Sequence, residues 1–208
     1  MISRADIKKE AKELYQAQKT NSILIILVFV IVAGICAGTS VIFIGAIASF
    51  LITPVLSIGL YACFLKVYRS EKVEIGDLFT KFKTDYIRCL GGYWWMALFT
   101  FLWSMLFAIP GIVKMCSYFM TPYILADCPN VPAKEALKIS MRMTKGYKGK
   151  IFVCLLSFYG WMMLSALTFG ILYVVFVGPY MQTTFAGFYE EMKDDALRSG
   201  AISIDELT

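Results

Sequence analysis

Lys134, Lys138 and Arg142 recur at i, i+4 and i+8, with Lys145, Lys148 and Lys150 close behind. A row of bases on one helix face suits anionic lipid headgroups, each contributing about 1 kcal/mol beside a charged leaflet. Leu137 and Met141 on the same helix would then dip into the acyl boundary. The alternative is a solvated row that sets topology and binds nothing specifically. Lys134, Lys138, Arg142 and Lys145 are thus the candidate contacts to anionic lipid. Lys114, in IPGIVK, is the one charged residue in or near an apolar run. It either snorkels to the outer headgroups or points inward to bind an anionic headgroup or a carboxylate. Ser117 stands three residues on, but nothing nearby suggests an oxyanion site, so a Ser-Lys dyad is not the expectation.

What is missing excludes more chemistry than what is present suggests. The 208 residues contain no histidine, which removes His-based acid/base catalysis, Ser-His and Cys-His dyads and HExxH metal sites. The six cysteines (Cys36, Cys63, Cys89, Cys116, Cys128, Cys154) are scattered singly, without the paired spacing of disulfide frameworks or zinc sites. No metal, no cofactor and no catalytic residue is expected. The chain is 59% hydrophobic and 17% charged, with a mean hydropathy of +0.67, too apolar for an ordinary soluble domain. A nucleic-acid partner is not expected despite the net charge of +5, because tethering at a bilayer already accounts for the bases.

Such residues need elements to hold them. Six apolar runs approach the roughly 20 residues that an α-helix needs to cross a bilayer: 22–38, 41–65, 90–109, 112–128, 151–168 and 171–189. None has an Asp or Glu in its interior, and each must be helical because unpaired amides are costly in lipid. Short uncharged turns (Gly38-Thr39-Ser40, Pro110-Gly111, Phe169-Gly170) alternate with the long basic segments 66–89 and 129–150. Nineteen of the 20 Lys and Arg lie in the N-terminal segment, those two loops and the C-terminal tail, Lys114 being the exception. Positive segments stay inside, so both termini are expected in the cytoplasm with three turns outside. Residues 2–20, with their mixed charges, do not read as a cleavable signal.

The fold class expected is therefore all-α, a polytopic membrane protein of six transmembrane helices arranged as three hairpins. Each hairpin follows a cytosolic segment with helical periodicity. In the first, Ser3 and Asp6 have capping-box spacing and Ile7, Ala11, Leu14 and Tyr15 share a face. In the second, Ile75, Leu78, Phe79, Phe82 and Tyr86 form a stripe. In the third, Pro132 suits the first helical position, Ala133, Leu137 and Met141 align, and Gly146 can end the helix. The second span of each pair carries a proline that should bend it, Pro54, Pro122 and Pro179. Duplication of one unit, over about 1–65, 66–128 and 129–192, is one reading of this recurrence, and the frequency of proline in membrane helices is the other. Residues 1–192 would make a single membrane domain, and 193–208 a solvated cytosolic tail in which the last helix frays. Tyr93, Trp94 and Trp95 fit an aromatic belt on the cytosolic side. The small faces Gly34-x-x-x-Gly38 and Gly45-x-x-x-Ser49 suit internal helix packing.

The stretches FAIPGIVKMCSYFMTPYILAD, AKEALKISMRMTKGYKGKIF, LLSFYGWMMLSALTFGI and GPYMQTTFAGFYEEM resemble a family of bacterial integral membrane proteins known as domain of unknown function nine hundred seventy-five, found mainly in Firmicutes. They span residues 107–192, and the N-terminal half fits in layout. The chain is more distantly similar to the membrane domain attached to some glycerophosphodiester phosphodiesterases, whose catalytic domain has no counterpart here. The resemblance implies a multi-pass protein without an assigned activity and carries over no functional residue. The expectation is a non-enzymatic integral membrane protein that binds lipid or a membrane-protein partner at the inner leaflet, in envelope stress, export or self-immunity. The alternative is a small transporter or lipid-translocating protein with a cavity between proline-bent helices. A polar wall of Lys114, Ser117, Thr121 and Gln182 would favour that alternative.

Overall fold

The computed structural model describes residues 4–39, 43–106 and 108–207, which are helical throughout apart from their connections. Ser3 and Ser40, in the expected first cap and first outer turn, lie outside the described residues. The helices are α1 (Arg4–Ala17), α2 (Lys19–Thr39), α3 (Phe43–Tyr68), α4 (Thr80–Thr84), α5 (Tyr86–Leu106), α6 (Ala108–Tyr118), α7 (Thr121–Asp127), α8 (Ala133–Met143), α9 (Lys148–Leu167) and α10 (Gly178–Arg198). A 3-10 turn at Ile75–Phe79 precedes α4, and a π turn at Tyr173–Val177 runs into α10. Among the described residues, three helical segments are long and apolar enough to cross a membrane: Lys19–Gly38, Gly45–Tyr68 and Lys148–Leu167.

Two apolar cores hold these helices. A smaller one joins α2, α3 and the 3-10 turn through Ile25, Leu56, Phe64 and Leu78. Gly59 allows this, because the backbone carbonyl of Leu78 occupies the space that a side chain there would fill. The larger core gathers α3, α7, α8, α9 and α10 around Tyr123, Ile124, Phe158, Phe188 and Tyr189. At Gly187 a β-carbon would meet the Tyr68 ring and Ile7, so glycine brings α1 and α3 against α10.

Several expectations need revision. Residues 112–128 are not one helix, since the chain turns at Phe119 and Met120 and α7 starts afresh with Pro122 in its first turn. Proline lacks the N–H that would continue the ladder and is tolerated in a first turn. The segment 75–86 forms no continuous amphipathic helix. Only Leu78 of its stripe is fully buried, while Ile75 and Phe79 stay exposed. The stripe of α1 exists, but Ile7, Ala11 and Tyr15 are buried in protein, with α1 packed on α10. In α8 the inward face is Ala136, Leu137, Ile139, Ser140 and Met143, so Leu137 enters the core rather than the acyl boundary. Pro132 caps α8 from just outside it, and Gly146, at φ +93°, follows its end. The tail does not fray: α10 runs to Arg198, Met192 and Ala196 are buried, and Ile202 returns to the core. Gly34 and Gly38 are exposed with open space around them, whereas Ser49 donates to the Cys36 carbonyl at 2.6 Å. The turn at Phe169-Gly170 is present, both residues adopting positive φ.

The three prolines behave differently, and beside each a side chain from elsewhere in the chain reaches a backbone carbonyl. Pro54 lies within a continuous α3. It cannot donate to the carbonyl of Phe50 one turn back, and that carbonyl accepts from the Trp94 indole at 3.1 Å. Pro179 likewise cannot serve Val175, whose carbonyl accepts from the Tyr15 hydroxyl at 2.6 Å. At the break before Pro122 the carbonyl of Ser117 accepts from the hydroxyls of Ser140, at 2.8 Å, and Thr144, at 3.2 Å. Trp94 therefore turns inward and does more than belong to a belt.

Candidate functional site

α8 sets out the basic row. With its apolar face in the core, Lys138 is left exposed and Lys145 lies beyond the helix end, also exposed. The Lys134 ammonium sits 4.9 Å over the Trp95 ring, a cation–π contact. Lys138 meets Glu135 at 2.9 Å on the helix surface, a pair worth little in solvent. Arg142 is occupied differently. It bridges to Glu206 at 3.1 Å and donates to the Ala201 carbonyl at 3.2 Å, tying the C-terminal turn to α8. Glu206 in turn accepts from the Ser203 backbone N–H, and these two partners, the N–H first, hold its carboxyl below the ordinary range. The row thus splits into three bases that face outward and one that clasps the tail.

Lys114 is half-buried in a hairpin of α5 and α6. Its ammonium lies 4.8 Å over the Trp103 ring and 5.8 Å from that of Tyr118, with the Met141 sulfur at 3.9 Å. The rings and the thioether surround the charge on the protein side. Ser117 is buried, its hydroxyl spent on the Val113 carbonyl of its own helix.

A charged cluster that the sequence reading missed joins α3, α7 and α10. Asp127, which ends α7, receives Arg69 at 2.7 Å, Lys193 at 2.5 Å and the Tyr189 hydroxyl at 3.0 Å. Arg69 also reaches Glu190 at 2.6 Å. A carboxylate closing an apolar run was the available signal, because a charge there must find cations as the helix end is buried. Which cations it finds depends on elements about 60 residues away in both directions.

Above that cluster the three proline-bearing segments meet at Tyr61, Tyr123 and Tyr189. The Tyr61–Tyr123 ring centroids are 4.7 Å apart, and Tyr123 stacks on Tyr189 at 5.7 Å. Beside them opens a cavity of about 640 Å³ between α3, α5, α6, α7, α9 and α10. Its walls are largely apolar, with Phe119, Phe185 and four methionines, Met96, Met115, Met162 and Met181. Gln182 lines it and is nearly buried, accepting from the Tyr123 hydroxyl at 3.3 Å. The Thr100 and Ser104 hydroxyls also face it, but each donates to a carbonyl of its own helix. Of the polar wall expected from sequence only Gln182 belongs to this cavity, and Lys114, Ser117 and Thr121 do not line it.

Among the described residues no three His, Cys, Asp or Glu side chains are grouped to hold a metal ion. All six cysteines are buried, and no disulfide joins any of them. No curated protein and no solved structure matches the chain. A family model described as Protein of unknown function (DUF975) matches residues 1–117 and 108–196.

Proposed function

Because the chain belongs to this family of unknown function, membership assigns no activity, and we propose from the geometry that it is a non-enzymatic, multi-pass integral membrane protein that binds anionic lipid at the inner leaflet. One observation carries this reading: the apolar helices spend most of their surface outward. Only 22% of the Lys19–Gly38 and Lys148–Leu167 windows is buried inside the protein. Ile35, Met105, Leu156, Leu167 and Phe169 lie among more than two dozen large apolar side chains that are exposed. So many exposed apolar side chains on long apolar helices are what a hydrocarbon neighbour would cover. Lys134, Lys138 and Lys145 stand on the other kind of surface, where outward bases meet a charged leaflet. The six-span topology with both termini cytoplasmic, in a bacterial cell membrane, accords with the distribution of Lys and Arg.

The test is reconstitution of the full chain with vesicles of phosphatidylcholine containing phosphatidylglycerol. The triple variant Lys134→Gln, Lys138→Gln, Lys145→Gln should retain several-fold less phosphatidylglycerol at low salt, with unchanged phosphatidylcholine. Equal retention by the variant would remove the inner-leaflet site.

Lipid translocation is a second reading, favoured by the cavity among the proline-bearing segments. Its walls suit a chain more than an ion or a polar solute, because the Asp and Glu that proton-coupled transport employs are absent from them. Movement of fluorescent phospholipid between leaflets of reconstituted vesicles would establish it, and failure to move any would set it aside.

A further inference from the structure

We propose that the cavity beside Tyr123 and Gln182 is a binding site for one acyl chain of a membrane phospholipid. The proposal rests on the membrane reading above and goes beyond it, since the basic row addresses headgroups and this cavity would address a tail. Its size, about 640 Å³, falls within the roughly 300–1,000 Å³ of ligand sites. Its rim is formed by Phe101, Met115 and Met162, which are 62%, 42% and 47% exposed. These belong to the same outward apolar surface that needs hydrocarbon, so what lies at the mouth is lipid.

Chemistry narrows the occupant to a chain. Left empty, the walls would lose the dispersion contacts that a close-packed interior makes. Water is a poor tenant, needing two to four polar partners, and the Thr100 and Ser104 hydroxyls are already donating elsewhere. Flexible thioethers at four wall positions adapt to an occupant with many rotamers. Gln182 gives the site a buried amide, beside the Tyr61 and Tyr118 side chains that also line the largely apolar wall. Its side-chain oxygen is engaged by Tyr123, which orients the amide so that its N–H₂ remains to donate. A carbonyl accepts such a donation, and the ester that joins an acyl chain to its glycerol supplies one. The occupant would therefore sit with its ester at Gln182 and its chain running among the methionines toward the rim.

Nanodiscs of phosphatidylcholine doped with phosphatidylglycerol bearing a diazirine in one acyl chain test this with the full chain. After irradiation, adducts mapped by mass spectrometry should fall on Met96 and Met181 inside the cavity as well as on outward residues such as Leu156 and Leu164. Filling the cavity by Ala97→Phe should lower the inner adducts several-fold and leave the outer ones unchanged. Thr100→Leu narrows the same space without stranding a partner, because the Thr100 hydroxyl serves only its own helix, and it replaces Ala97→Phe if that variant does not fold. Adducts confined to the outer surface, or inner adducts indifferent to both substitutions, would overturn the acyl site while leaving the membrane reading standing. Absence of adducts on the outer surface as well would overturn both.

Discussion

The indole of Trp94 donates to the carbonyl of Phe50 at 3.1 Å, the acceptor left open by Pro54 one turn further along α3. The rings of Phe50 and Trp94 also stack, with centroids 3.8 Å apart. Apolar contact and hydrogen bond thus coincide at a point where, on the membrane reading, an unpaired carbonyl would face hydrocarbon. Satisfying that group is obligatory in lipid, so the contact explains how an apolar helix tolerates a proline in mid-course.

Trp94→Phe keeps the stacking and removes the donor. It should lower stability by about 1 kcal/mol, the net worth of one hydrogen bond whose acceptor has no other donor. In a Pro54→Ala background the cost should shrink, since alanine returns the intrahelical donor. Thermal unfolding of the four proteins in one detergent closes this cycle. Equal losses in both backgrounds would mean that the bond to Phe50 contributes nothing.

Asp127 meets Arg69, Lys193 and the Tyr189 hydroxyl, whereas Glu190 shares Arg69. Asp127→Asn should therefore destabilise by about 2–3 kcal/mol, below the 3–5 for breaking a fully buried pair because Arg69 keeps some solvent contact. Glu190→Gln should cost distinctly less. Chemical or thermal denaturation would rank them, and the reverse order would contradict the geometry.

Two glycine-to-alanine changes should have opposite signs. At Gly59 the new methyl collides with the Leu78 carbonyl, and prising the 3-10 turn from α3 should cost about 1–3 kcal/mol. At Gly91 nothing stands within 4 Å, and the better helix former should be neutral or stabilising by up to about 1 kcal/mol. Melting curves of both variants settle the matter.

Acid should loosen the connections that Asp77 and Glu206 hold. Burial pushes the Asp77 carboxyl up, but the Glu74 N–H and Lys66 outweigh it and leave it below its usual 3.8. Glu206 is likewise lowered from 4.5 by the Ser203 N–H and Arg142. A carboxyl depressed in the folded state stabilises above its unfolded value and loses that contribution as pH falls through the folded one. Stability should thus decline below about pH 4, and Asp77→Asn should flatten the decline. A decline of undiminished slope in that variant would point to other carboxyls.

Part of this structure was legible in the sequence. The apolar runs of α2, α3 and α9 set their lengths, Phe169-Gly170 announced a turn, and helical spacing placed Lys134 and Lys138 on one face. Periodicity also found the stripes of α1 and α8, but it does not say whether a stripe meets lipid or protein. Ile7 and Leu137 meet protein. The break at Phe119 escaped because hydropathy is blind to where a ladder is interrupted, although Pro122 marked the place. The Asp127 cluster and the apolar lining of the cavity escaped for a different reason. Each is assembled from segments far apart in the chain, and no local pattern encodes which ends come together.

The donors at the proline sites have a consequence for how the chain comes to rest. The segment holding Pro54 is completed by Trp94, from the next stretch of chain. The break before Pro122 is completed by Ser140 and Thr144, from the stretch after that. Pro179, in the last, is completed by Tyr15, from the first. The dependencies run in a circle, so no third can finish its own backbone in isolation, and Tyr15 must wait for an acceptor made 160 residues later. A polypeptide cut between thirds would be expected to reassemble only when every fragment is supplied together.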